Sequence, residues 1–299
     1  MSSDLHLPVA TEVALGRYDG LDSWPLAKTL GALVESNAEA VTAVKRALPD
    51  LERAAAGIER ALAAGGRLVY IGAGTSGRLS VQDAAELPPT FGFSRALTVQ
   101  AGGDAASAQA LEGAEDDENA ARVRFADLSL TPNDAVIGLA ASGTTPFTVA
   151  GVAYAREQGA FTVGIANNPG TPLLTEADVG VLLETPPEVL AGSTRLAAGT
   201  AQKVALNALS TSVLVRLGGA YNNLMVGMNP QNAKLQRRAV RIIVQATGCT
   251  PDEASSTLSS SGDIREAIVM LLTGCDATTA RARLERNHDR IRESIHDEL

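Results

Sequence analysis

Five short runs of apolar residues alternate with stretches of helical periodicity through the middle of the chain. Each run is followed by small residues and then by a helical stretch, which is typical of parallel strands joined by helices. The pattern therefore predicts an α/β fold, with a parallel five-stranded sheet between two helical layers. The predicted strands are residues 67–71, 96–100, 134–140, 161–166 and 179–183.

Helical patterns flank this region on both sides. Residues 30–64 carry apolar positions at helical spacing and predict two helices before the first strand. Beyond residue 230 the pattern is helical throughout, and "TPDE" at 250–253 has the threonine, proline and glutamate of a capped helix start. We therefore expect a larger domain, residues 1–239, with the N-terminal helices and the sheet, and a small three-helix domain, residues 240–299.

The first strand-to-helix loop reads "GAGTSG" (72–77) and contains a literal G-x-G-x-x-G. A dinucleotide site also needs an acidic residue about 20 positions later, at the end of the second strand, to bind the ribose. No Asp or Glu lies between Phe91 and Gly103, so we do not expect a dinucleotide here. Thr75 and Ser76 place two hydroxyls beside backbone amides at a helix start, which suits a phosphate monoester.

The loop after the third strand, "ASGTTP" (141–146), has the same design. Ser142, Gly143 and Thr145 precede a proline at the position where a first helical turn would begin. Ligands of parallel sheets bind beyond the carboxyl ends of the strands, where the connections diverge to opposite faces. Two such loops at one edge of the sheet predict a phosphate site, and the alternative for each is a helix cap without a ligand.

Composition and charge exclude several other classes of function. The chain of 299 residues has a formal net charge of -9, which argues against binding to nucleic acid or to a membrane surface. It has no apolar run of about 18 residues and no signal-peptide pattern at its start, so we expect a cytoplasmic protein. The two cysteines form no C-x-x-C pair and the three histidines lie near the chain ends, so we expect no metal site. His288 lies in "RLERNHDRIR", which reads as a solvated helix face.

The loops "GAGTSG" and "ASGTTP" are accompanied by further collinear segments, among them "DAAELPPTFG", "EGAEDD" and "AGTAQK". Together these segments resemble the SIS sugar-phosphate-binding family, and more closely the N-acetylmuramic acid 6-phosphate etherases. The resemblance implies a SIS-type three-layer αβα fold with a small C-terminal three-helix (UBA-like) domain. It also implies a cytoplasmic, homodimeric lyase of peptidoglycan recycling that converts N-acetylmuramic acid 6-phosphate to N-acetylglucosamine 6-phosphate and D-lactate without metal or cofactor. The matching segments are "GAGTSGRL", "DAAELPPTFG", "EGAEDD", "ASGTTP", "GSTR", "AGTAQK", "LNALST", "NLMV", "NAKL" and "ATGC".

The resemblance assigns catalysis to two glutamates. Glu86, in "DAAELPP", matches the acid of the family, and Glu115, in "EGAEDD", matches its partner, the base. By pattern alone, Glu86 is a charge at a helix end and Glu115 is part of a solvated acidic run. Which glutamate acts first stays open. The resemblance further assigns binding of the phosphate and sugar to Ser76, Ser142, Gly143, Thr145, Ser193 and Thr194.

Several alternatives remain at this point. Arg78 and Arg195 either clamp the phosphate or are surface groups. The chain departs from the family where Thr144 replaces an arginine, Ala197 a lysine and Gly227 an aspartate. The lysine and aspartate are hypothesised to have formed an ion pair, whose joint loss is milder than the loss of one partner. A non-catalytic sugar-phosphate-binding regulator, resembling the glucokinase regulatory protein, and a phosphosugar isomerase are the competing functions.

Overall fold

A computed structural model describes residues 10–107, 109, 113–230 and 232–297. The chain divides into two compact units. The first comprises residues 1–84 and 95–209, and the second comprises residues 85–94 and 210–299. The proposed domain boundary at residue 240 stays a prediction.

The first unit contains the predicted parallel five-stranded sheet. Its strands are β1 (Leu68–Gly72), β2 (Ala96–Gln100), β3 (Ala135–Ala140), β4 (Phe161–Ala166) and β5 (Val179–Leu182). The strand ends agree with the sequence pattern to within one residue. The strands lie in the order β2-β1-β3-β4-β5. The connection from β1 leads to a neighbour on one side and the connection from β3 to a neighbour on the other side, so the switch point of the sheet lies between β1 and β3.

Helices precede and connect these strands. The two helices expected before the sheet are present, and the helices Gly74–Phe91 and Ala197–Leu214 each include residues of both units. The helices are α1 (Leu26–Arg46), α2 (Leu48–Ala63), α3 (Gly74–Phe91), α4 (Glu118–Leu128), α5 (Pro146–Glu157), α6 (Pro172–Glu176) and α7 (Ala197–Leu214). Short 3-10 helices lie at Ala10–Glu12, Gly16–Tyr18, Leu21–Ser23, Asp104–Ser107 and Ala114–Asp116.

Helices cover both faces of the sheet, which explains why every residue of β1 and β3 is buried. Neighbouring residues of a strand point to opposite faces. Ile71 packs on α5, where Gly151 leaves no space for even a methyl group. Tyr70 points to the other face, and its hydroxyl donates to Oδ2 of Asp83 on α3 at 2.8 Å. Burial and the Asp83 carboxylate raise the pKa of Tyr70 well above its usual value.

A partly buried ion pair joins the starts of β1 and β3, at the edge of the sheet opposite the two loops. The Asp134 carboxylate accepts hydrogen bonds from the Arg67 backbone N–H (2.8 Å), from Arg67 Nε (3.0 Å) and Nη2 (2.7 Å), and from the Thr131 N–H (2.8 Å). Burial opposes ionisation of this carboxyl, but the hydrogen bonds from Arg67 and Thr131 lower its pKa to about 2.

The described part of the second unit is helical apart from a hairpin of two short strands, so the prediction of a C-terminal helical region is confirmed. Four helices follow residue 250, one more than expected, because the last helical stretch is divided near His288. The capping box at Thr250 and Glu253 is present. The stretch "RLERNHDRIR" is not one helix, because His288 and Asp289 adopt left-handed conformations (φ 53° and 61°). The elements are Val215–Gly219 (a π-helical turn), β6 (Ala220–Tyr221), β7 (Leu224–Met225), α8 (Ala233–Thr247), α9 (Pro251–Ser261), α10 (Ile264–Thr273), α11 (Ala277–Arg286) and α12 (Ile291–His296).

The core of this second unit is aliphatic. The side chains of Ile242, Ile264, Ile268 and Leu284 are buried together in one cluster. Within the described part of the chain, no helix is both long enough and apolar enough to cross a bilayer.

Candidate functional site

The first loop follows β1 and leads directly into α3. Thr75 and Ser76 lie in the first turn of this helix, where backbone N–H groups have no partner within the helix. Thr75 is half-buried, whereas Ser76 is only 6% exposed. The Ser76 hydroxyl donates to Oε1 of Gln202 on α7 at 2.8 Å. The loop therefore offers backbone amides, and a second helix holds its buried serine.

The second loop follows β3 and leads into α5, which begins at Pro146 as expected. The Ser142 hydroxyl accepts the Thr144 N–H at 3.2 Å and lies 3.4 Å from Thr145 Oγ1. Thr145 occupies the N-cap position but makes no side-chain cap bond, so its hydroxyl is not used by its own helix. Gly143 has a φ of 75°, and a Cβ there would collide with the side chain of Thr171.

The fold brings these two loops together. β1 and β3 are hydrogen-bonded neighbours, with Gly72 paired to Leu139, so both loops leave the sheet at the same edge. Thr75 and Ser76 thus share this edge with Ser142, Gly143 and Thr145. It is the switch point at which parallel sheets of this type bind ligands.

The segment with Ser193 and Thr194 lies beside the first loop. The Gly199 N–H donates to the Thr194 carbonyl at 2.8 Å, and a Cβ on Gly199 would lie 3.4 Å from Thr75 Cγ2. Both Ser193 and Thr194 are half-buried.

A carboxylate of the protein itself occupies the start of α7. Glu188, 1% exposed, accepts the backbone N–H groups of Ala197 and Ala198, each at 2.9 Å. Burial raises the pKa of Glu188, and the two amide hydrogen bonds oppose that rise. These two amides are not available to a substrate phosphate. The sequence reasoning missed Glu188, because a cap nine residues before its helix follows no spacing rule.

The two predicted catalytic glutamates lie in different units. Glu86 is exposed on the part of α3 that belongs to the second unit. Glu115 is exposed in the 3-10 helix Ala114–Asp116 of the first unit, just before α4. Glu112, in the same "EGAEDD" segment, lies outside the described residues. The roles of Glu86 and Glu115 stay predictions.

The two candidate arginines and two of the departures from the family pattern can be placed in the structure. Arg78 is half-buried and donates to the Gln109 carbonyl at 3.2 Å, whereas Arg195 is exposed. Ala197 is fully buried, and a Cβ on Gly227 would collide with the backbone carbonyl of Phe91. Local packing therefore favours a small residue at both of these departures from the family pattern.

The described residues include no group of three His, Cys, Asp or Glu side chains placed to hold a metal ion.

Comparison with known proteins decides the family. The model of the glucokinase regulatory protein N-terminal SIS domain matches residues 50–156, and the SIS domain model matches residues 118–212. An N-acetylmuramic acid 6-phosphate etherase of Deinococcus radiodurans is 48% identical to this chain over 281 residues, covering 93% of the chain and 92% of the relative. The chain belongs to the N-acetylmuramic acid 6-phosphate etherase family. Another etherase of this family, from Salmonella choleraesuis, is 44% identical over 92% of the chain and 94% of the relative.

A solved structure confirms the SIS-type fold of this etherase-family chain. A phosphoheptose isomerase from Francisella tularensis superposes with a TM-score of 0.51 at 17% identity, covering 64% of the chain and all of the isomerase. At this identity the likeness concerns the fold alone.

Three further polar residues of the site escaped sequence reasoning. Gln202, Asn167 and Asn168 are buried behind the two loops and contact them. The sequence signal for Gln202 was its place in the matching segment "AGTAQK". For the two asparagines the only signal was their position directly after the fourth strand.

Proposed function

We propose that this protein cleaves the D-lactyl ether at C3 of N-acetylmuramic acid 6-phosphate and so acts as a carbon-oxygen lyase. The products are N-acetylglucosamine 6-phosphate and D-lactate. The observation that carries this proposal is the 48% identity to a named etherase across 93% of the chain. The two hydroxyl-rich loops at the switch point support it, because they suit a phosphorylated sugar.

The reaction needs two groups that exchange protons with the sugar. Ring opening exposes an aldehyde at C1, which acidifies the C2 proton so that a base can remove it. A second group protonates the ether oxygen as the C3–O bond breaks and D-lactate leaves. Water then adds to C3 of the unsaturated aldehyde, and a proton returns to C2. We assign the base to Glu115 and the acid to Glu86.

Phosphate binding is assigned to the two loops. Backbone amides at the start of α3 and the hydroxyls of Ser142 and Thr145 are suitable donors to phosphate oxygens. Ser193 and Thr194, beside the first loop, are assigned to the sugar. The amides of Ala197 and Ala198 are excluded because Glu188 already binds them.

The test is release of D-lactate from N-acetylmuramic acid 6-phosphate by the purified protein, with unphosphorylated N-acetylmuramic acid as control. Release from the phosphorylated sugar alone is the expected result.

The match to the glucokinase regulatory protein SIS domain favours a second candidate, a sugar-phosphate-binding regulator. Binding of the phosphorylated sugar without any release of D-lactate would support that candidate and contradict the lyase.

We further propose that the protein is a homodimer that pairs through an apolar face of α1. Leu30, Val34 and Val41 lie at helical spacing on this helix and are 54%, 70% and 38% exposed. Exposed apolar side chains at helical spacing are typical of an interaction site, and a second copy presents the identical side chains about a two-fold axis.

Val34→Asp is expected to convert the dimer to a monomer, because two carboxylates would be buried opposite each other. Light scattering coupled to size-exclusion chromatography measures the mass. Val123→Asp is the matched control, since Val123 is 51% exposed on α4. A wild-type protein that is already monomeric would contradict this prediction.

A further inference from the structure

A chain of buried amides ties the first loop to the interior of the sheet. The Ser76 hydroxyl donates to Gln202 Oε1 (2.8 Å), Gln202 Nε2 donates to Asn167 Oδ1 (3.1 Å), and Asn167 Nδ2 donates to the Leu183 carbonyl (2.9 Å). Gln202 and Asn167 are completely buried. Three direct hydrogen bonds thus connect the first loop to Leu183, the residue that follows β5.

The direction of this chain is determined by its inner end. A backbone carbonyl only accepts hydrogen bonds, so Asn167 must direct its amino group to Leu183 and its oxygen to Gln202. Gln202 must then direct its own oxygen to Ser76, which leaves the serine hydroxyl as the donor. In this arrangement the Ser76 hydroxyl donates to Gln202 and anchors the first loop, and the assignment of Ser76 to phosphate binding stays a prediction.

The neighbouring asparagine ties down the second loop. Asn168 Nδ2 donates to the carbonyls of Ala141 (3.0 Å) and Ser142 (3.3 Å), and the Asn167 N–H donates to the Ala141 carbonyl (3.0 Å). Asn168 is 2% exposed. Two consecutive residues after β4 thus hold both loops. Asn167 supports the first loop through Gln202 and the second through its backbone N–H, and Asn168 holds the second loop directly.

We propose that Gln202, Asn167 and Asn168 are positioning residues that hold the two loops in one phosphate-binding arrangement, with Ser76 as an anchor of the first loop. This inference rests on the proposed function, because it assigns the loops to a sugar phosphate. Backbone amides need a defined geometry to bind phosphate, and buried hydrogen bonds can hold the loops in that geometry. Loss of one partner leaves the other buried group without a hydrogen bond, so the loop arrangement is sensitive to single substitutions.

A double-mutant cycle on the full-length protein tests the proposal. Affinity for N-acetylglucosamine 6-phosphate is measured by calorimetry for Ser76→Ala, Gln202→Met and the double variant. Each single change is expected to weaken binding about tenfold, because each breaks the same anchor. The double variant should bind about as well as either single variant, since coupled residues are not additive. Ser36→Ala removes a buried hydroxyl that has no partner among the described residues, so it should leave affinity unchanged.

Two results would overturn the proposal. One is unchanged affinity in Gln202→Met while Ser76→Ala weakens binding, which would mean that Ser76 contacts the phosphate directly. The other is unchanged affinity in Asn168→Ala, a variant that keeps the test available if Gln202→Met does not fold. Wild-type binding without D-lactate release would refute the lyase but not the anchor. Absence of wild-type binding would refute both.

Discussion

Glu115→Gln is expected to lower the rate of D-lactate release by about a hundredfold or more, because general acid-base groups typically contribute that much. Glutamine keeps the size and hydrogen-bonding reach of the side chain but cannot take the C2 proton. Glu86→Gln should cause a loss of similar size, because the lactyl oxygen would leave without a proton. Steady-state assays at saturating substrate measure both effects.

Two controls separate chemistry from binding and folding. Glu118→Gln changes a neighbouring exposed carboxylate of the same acidic segment and should retain full activity. Affinity for N-acetylglucosamine 6-phosphate should stay close to wild type in both catalytic variants. Full activity in either the Glu86 or the Glu115 variant would remove that residue from the mechanism.

Asp134→Ala is expected to lower the free energy of unfolding by about 3 kcal/mol or more, because it leaves a partly buried guanidinium without its partner. Arg67 and Thr131 both lose hydrogen bonds to a carboxylate that is 1% exposed. Urea denaturation at neutral pH measures this change. Glu157→Gln breaks the exposed, 3.8 Å pair with Arg122 and should change the free energy of unfolding by less than about 1 kcal/mol.

The contribution of Asp134 should also depend on pH in a defined direction. Its folded-state pKa of about 2 is below the ordinary value of 3.8. The carboxylate therefore stabilises the folded state fully above that ordinary value, and the contribution is lost as pH falls toward 2. The stability difference between wild type and Asp134→Asn should shrink by about 2 kcal/mol across this window. A difference that does not change with pH would contradict the assignment.

The sequence by itself determined the strands and the family. Residues 96–100 and 161–166 were predicted with the bounds that the structure has, because each is a short β-branched and apolar run followed by small or polar residues. The two loops were found because small residues and hydroxyls before a helix start form a local pattern. The absence of an acid after the second strand argued against a dinucleotide fingerprint in the first loop, and that stays a prediction.

Only the tertiary structure decided which polar groups support the loops. Ser76 and Gln202 are 126 positions apart in the chain, and Arg67 and Asp134 are 67 apart. Glu188 caps a helix that begins nine residues later, after an intervening turn. Hydrophobic periodicity reports local geometry, because a helix or strand repeats its faces every few residues. A buried hydrogen bond between distant segments has no such period, so its partners are known only when the folded chain brings them together.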